Sequence, residues 1–204
     1  MKVKSYWAFA ITWNAQTCRT TALVDALSNV DMSDIKNFLK GASPLLVHPL
    51  TFPEIILHMV MVYITEKIRP EYEEVFFNEE HRTKLFHVFD SNRPQERPIW
   101  DWTFDDFKMA TSRVNKFNTT IVYVARRYNF ANLLAKRFLV IMDELKRYEY
   151  EDCKLKDMIE EADWARRERL NNKVALLDNY EHYMECMGKR AANLATVVRI
   201  SVVF

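Results

Sequence analysis

The chain has 204 residues, 49% of them hydrophobic and 13% aromatic, with 29 basic and 28 acidic side chains and a net charge of +1. That length suits one domain or two with a real core, and the composition excludes a disordered chain. The balanced charge gives no pull toward nucleic acid, and two glycines in all exclude a P-loop or a dinucleotide fingerprint, which need several.

Residues 5–24 carry the alternation of a strand. Trp7, Phe9, Ile11 and Trp13 interleave with Tyr6, Ala8, Ala10 and Thr12, a period of two. Asn14-Ala15-Gln16-Thr17 supplies a turn, and Thr20, Thr21 and Val24 favour a second strand. The expectation is a small β-hairpin whose aromatic face covers helices. Ser33 then has the chemistry of an N-cap, with Ile35, Phe38 and Leu39 forming a short helix that stops at Gly41.

Three prolines, Pro44, Pro49 and Pro53, force an extended path. Pro53 suits the first position of a helix, with Glu54 near its positive end. That helix should run to about Glu66 or Arg69, with Ile55, Ile56, Met59, Val60 and Tyr63 inward. Its apolar run, residues 52–64, is interrupted by Glu54 and His58 and is too short to span a bilayer, so no membrane span is expected. A further short helix is expected in the mixed stretch 70–98. Within it, Asp90 to Pro98 is a polar connector that contains prolines. It divides a hairpin and short-helix region, 1–98, from a helical region, 99–204, packed as one compact unit.

The second region contains no proline. Ala110, Val114, Phe117, Ile121, Val124, Tyr128, Ala131, Ala135, Phe138, Met142 and Leu145 recur in steps of four and three, one face of a long helix. Lys108 to Tyr148 would be roughly 60 Å long, and Thr103 with Asp106 resembles a capping box at its start. The stripe lapses at Glu149-Tyr150-Glu151-Asp152, where a turn is expected. A return helix from about Lys154 to Val198 carries Leu170, Val174, Leu177, Met184, Ala191 and Val198 in line, with Leu176, Tyr180, Tyr183, Met187 and Leu194 beside them. Lys156/Glu160 and Asp163/Arg167 are i,i+4 pairs for its wet face. The fold class is therefore mainly α: a small N-terminal β-hairpin plus a helical bundle built on a long antiparallel helical hairpin. A helix of such length exposes more apolar stripe than one small body covers, so a homo-oligomer is expected.

Two constellations carry candidate chemistry. His48 and Glu54 flank the stiff loop and could meet at a pocket mouth as an acid–base pair in an apolar setting. The alternative is that His48 binds backbone in a tight turn and Glu54 caps its helix. Asp178, Glu181, His182 and Glu185 lie within two turns, with Asp178/His182 and Glu181/Glu185 each sharing a face. Carboxylate and imidazole at that spacing can hold a divalent metal such as Mg²⁺, and a polar surface stripe is the alternative. Arg126-Arg127 and Arg166-Arg167-Arg169 are basic spots; acids surround the second, so nucleic-acid binding is not supported. Cys18, Cys153 and Cys186 form no CxxC pair, which fits a reducing compartment, the cytoplasm, and structural thiols.

The order of these pieces resembles fungal proteins of the CorA-like magnesium-transporter type. The resemblance rests on the aromatic hairpin SYWAFAITWNAQTCRTTALVDAL, the His-Pro loop SPLLVHPLTFPEI, and the long helix RVNKFNTTIVYVARRYNFANLLAKRFLVIMDEL with its partner. It implies a helical cytosolic region. Transporters of that type continue into two transmembrane helices with a Gly-Met-Asn signature. Neither is in this sequence, so a non-transporting helical module is expected, able to self-associate. A different class of function stays open beside it: a small metal-dependent helical enzyme with an apolar pocket and a small apolar ligand. Its analogues are fungal terpene (prenyl diphosphate) cyclases that lack the usual motifs, and it would call for Mg²⁺.

Overall fold

A computed structural model describes residues 8–14, 16–17, 19–25, 29–42, 46, 48–83, 102–147 and 153–201. Its elements are β1 (Ala8–Asn14), β2 (Arg19–Asp25), α1 (Asn29–Gly41), α2 (Thr51–Val62), a π-helical segment (Tyr63–Ile68), α3 (Arg69–Thr83), α4 (Phe104–Leu145) and α5 (Cys153–Ser201). The fold is mainly α with an N-terminal hairpin and two long helices, as the hydrophobic periods imply. The connector 90–98 and the turn 149–152 lie outside the described residues. The chain falls into two compact units. One comprises Met1–Met61 and Ala131–Ala175, the other Val62–Phe130 and Leu176–Phe204, so each long helix contributes to both.

In the first unit, β1 and β2 pair antiparallel with Phe9 opposite Val24 and Ile11 opposite Ala22. The Asn14 side-chain oxygen accepts from the backbone N–H groups of Gln16 and Thr17, at 3.0 and 3.1 Å, and so closes the turn. Phe9, Ile11 and Val24 pack on a core of Ile35, Phe52, Ile55, Ile56 and Met59. α1 begins four residues before the expected cap Ser33. The reason is Met32, one turn ahead of Ile35, which also packs on that core and extends the apolar stripe upstream. α2 is buried nearly all round. In the same unit, α5 meets the end of α4 through Arg167 and Asp143, 2.7 Å apart.

In the second unit, the helix does not end near Pro70 as the sequence suggests. Pro70 has no N–H for the carbonyl four residues back, and its ring crowds that carbonyl. The backbone widens instead of stopping: the Arg69 N–H reaches the Ile64 carbonyl, five residues back, and α3 continues. The widened turn rotates the helix face, and Tyr63, expected inward, is exposed. α4 opens on a reciprocal cap. The Thr103 hydroxyl and N–H both bond the Asp106 carboxylate, at 2.7 and 2.9 Å, and the Asp106 N–H returns to the Thr103 hydroxyl. Phe76 stacks on Phe117 with ring centres 4.4 Å apart. Tyr128 stacks on Tyr180 at 4.8 Å, and Gly188 faces Ile121. These pairings run in opposite senses along α4 and α5, which makes the two helices antiparallel here. Every expected stripe residue of α4 is buried except Leu145, which is half-buried. On α5, Leu176 is exposed instead of packed.

Candidate functional site

The polar centre of the first unit joins the start of α2 to α5. His48 is 1% exposed. Its Nδ1 accepts from the Leu50 N–H at 3.1 Å, and its carbonyl accepts from the Thr51 N–H at 3.1 Å, a tight turn just ahead of α2. A neutral imidazole that accepts at Nδ1 carries its proton on Nε2. That nitrogen lies 3.3 Å from Asp163 Oδ1 and donates to it. Burial, with the Arg166 charge beside it, lowers the His48 pKa to about 3. The contact with Asp163 is therefore a hydrogen bond to a carboxylate, not an ion pair. Burial raises the Asp163 pKa, against the opposing pull of Arg167, Lys146 and Arg166.

One turn along α5, Arg166 is fully buried. It donates through Nη1 to Glu54 Oε2 at 3.0 Å and through Nη2 to the Thr51 hydroxyl at 2.8 Å. Lys173 Nζ reaches Glu54 Oε1 at 2.8 Å, and Arg169 Nε lies 3.4 Å from the same oxygen. Burial lowers the Arg166 pKa to about 10, with Glu54 pulling the other way. Asp163 and Arg166 are three residues apart and share a helix face. Together they clamp both sides of the turn: His48 before it, Thr51 and Glu54 after it.

The two expected site residues of the loop thus reach the same helix but different partners. No hydrogen bond joins His48 to Glu54. His48 binds backbone in a tight turn, as one reading of the sequence had it. Glu54 does more than cap α2, because it neutralises a buried guanidinium. Asp163 and Arg167, expected as a wet i,i+4 pair, part company: Asp163 turns inward to His48, with Lys146 3.9 Å from its other oxygen, while Arg167 pairs with Asp143. Lys156 and Glu160 do pair on the exposed face, at 3.9 Å.

Beside Glu54 lies an open recess of about 160 Å³. Its walls are Phe38, Ala42 and Ile55, with Thr51, Glu54, His58, Arg166, Arg169 and Lys173 around them. Arg166 and Lys173 were missed by sequence reasoning as members of this centre. The signal for Arg166 was available, since it falls in line with Ile159, Ala162 and Leu170, all buried. A charge on an apolar stripe must find a partner inside.

The second group of candidates sits in the other unit. On α5, Asp178, His182 and Glu185 are exposed and Glu181 is half-buried. Among the described residues, no group of three or more His, Cys, Asp or Glu side chains is placed to hold a metal ion. The inner face of this unit is aromatic. Tyr72 donates to Met184 Sδ at 3.2 Å, Tyr183 donates to Glu73, and Arg69 pairs with Glu73 at 2.7 Å while lying over the Tyr180 and Tyr183 rings. Burial pushes the hydroxyls of Tyr72, Tyr128 and Tyr183 above their ordinary value, so none of the three serves as a base near neutral pH. Cys186 is free and exposed.

No protein-family model, no curated protein and no solved structure matches this chain. Among the described residues, no helix is long and apolar enough to cross a membrane.

Proposed function

We propose that this chain is a non-catalytic, non-transporting helical module of the cytoplasm, of the kind that the cytosolic region of CorA-like proteins represents. In this reading His48 and Glu54 are fasteners, not an acid–base pair. The observation that carries it is the engagement of Glu54: both its oxygens already accept from cations, one of them fully buried. With both oxygens committed, no lone pair of this carboxylate is left directed at a substrate proton or a metal ion. His48 has its two nitrogens committed, to Leu50 and Asp163. The module self-associates through its long helices, on which exposed apolar side chains stand in each unit, Val122 and Phe130 in one and Leu133 and Val140 in the other.

Two measurements test this. Sedimentation over a wide concentration range should give a homo-oligomer, and a monomer throughout would remove self-association. Incubation with prenyl diphosphates and Mg²⁺ should give no hydrocarbon, and a product would replace the module by the cyclase reading.

A further inference from the structure

The recess beside Glu54 holds more positive charge than the fold can use. Arg166, Arg169 and Lys173 follow one another on α5 at spacings of three and four, so they share a face and repel. Among the described lining residues, one carboxylate, Glu54, stands against three cations. Its oxygens are already occupied, Oε2 by Arg166 and Oε1 by Lys173 and Arg169. Donors remain over. The Nε of Arg166 is buried with no hydrogen-bond partner, and the ammonium of Lys173 has three N–H groups. Phe38, Ala42 and Ile55 offer no side-chain acceptor. The space, about 160 Å³, compares with roughly 10–15 Å³ for one water on the same measure.

From this geometry we infer that the recess binds a phosphate monoester, its phosphate taken by Arg166, Arg169 and Lys173 and its organic part laid against Phe38, Ala42 and Ile55. The charges match. Among the described lining residues, three cations face one carboxylate, an excess of two that Asp163, one turn back on α5, partly offsets; a phosphate monoester carries about −1.5 to −2 near neutral pH. Its three terminal oxygens can accept from the unpartnered Nε–H of Arg166 and from Arg169 and Lys173, and guanidinium groups suit phosphate. A carboxylate ligand would bring half the charge and fewer acceptors. A metal cation would be repelled. The inference does not depend on the module being non-catalytic or oligomeric.

The test is calorimetric titration of the whole chain with monobutyl phosphate, and in parallel with inorganic phosphate and with butyrate. Saturable binding of monobutyl phosphate is expected, with a Kd below about 1 mM, tighter than either of the others. Arg169→Gln and Lys173→Gln each remove one charged donor and should weaken it by about tenfold or more. Lys116→Gln, exposed on α4, should leave it unchanged. Glu54→Gln should bind more tightly, and monobutyl phosphate should raise its melting temperature by more than it raises the parent's, because the ligand then supplies the partner Arg166 has lost. No saturable binding by the parent would overturn the inference, as would undiminished binding by a folded Arg169→Gln/Lys173→Gln variant. Equal affinity for inorganic phosphate and the butyl ester would overturn the monoester assignment.

Discussion

Glu54→Gln separates a cap from a fastener. If Glu54 only favoured the positive end of α2, its loss would cost about 0.3–1 kcal/mol. The structure gives it a larger role. Arg166 has no solvent exposure, and among the described residues Glu54 is its one carboxylate partner within salt-bridge distance. The amide keeps the shape and removes the charge. Arg166 then remains buried with the Thr51 hydroxyl, while Arg169 and Lys173 stand nearby as like charges. Breaking one side of a buried pair typically costs about 3–5 kcal/mol. For a chain of this length each kcal/mol moves the melting temperature by about 2–4 °C, so the drop should be roughly 6–20 °C. Urea denaturation gives the free energy, with the m-value checking that the same surface is exposed. Glu54→Gln/Arg166→Met should recover most of the loss, since removing both charges of a buried pair is close to neutral. A loss below about 1 kcal/mol in the single variant, or no recovery in the double, would refute the reasoning.

Other expectations follow from the same contacts. Ile121→Asp puts a charge on the buried face of α4 opposite Gly188 and should cost several kcal/mol by thermal melting. Thr103→Ala breaks the reciprocal cap with Asp106 and should cost about 1 kcal/mol by urea denaturation. Between the unfolded pKa of His48, 6.5, and its folded value of about 3, the unfolded chain binds more protons. Its contribution is therefore complete above pH 6.5 and is lost as pH falls, by about 1.4 kcal/mol per unit. Asp163, with its raised pKa, acts in the opposite sense and touches the His48 ring, so the comparison is made in an Asp163→Asn background, between the chain with His48 and its His48→Gln variant. Urea midpoints for the two should converge with falling pH.

The long helices were legible because their periodicity is dictated by burial. From Ala110 to Met142 the apolar steps of four and three are the residues that the structure buries. The cap at Thr103 was legible because its chemistry is local. What sequence concealed depended on distant partners. Nothing near Glu54 announces a guanidinium 112 residues away, and nothing near His48 announces Asp163, 115 residues on. The pairing of Asp163 with Arg167 was the obvious local choice, and tertiary contacts overrode it for both residues. The path through Pro70 was also hidden. A proline normally argues for a helix end, and only the packing of Ile64, Ile68 and Tyr72, all buried, makes a widened turn preferable to a break.

The central claim, that the His-Pro turn is fastened to α5 and not poised for proton transfer, rests on the state of one imidazole. Nitrogen-edited NMR of His48 across an acid titration reads that state directly. A neutral ring with its proton on Nε2, unchanged through about pH 5, is expected, because both nitrogens are committed and burial opposes the charge. A His48 that titrates near 6.5, or whose proton sits on Nδ1, would contradict it.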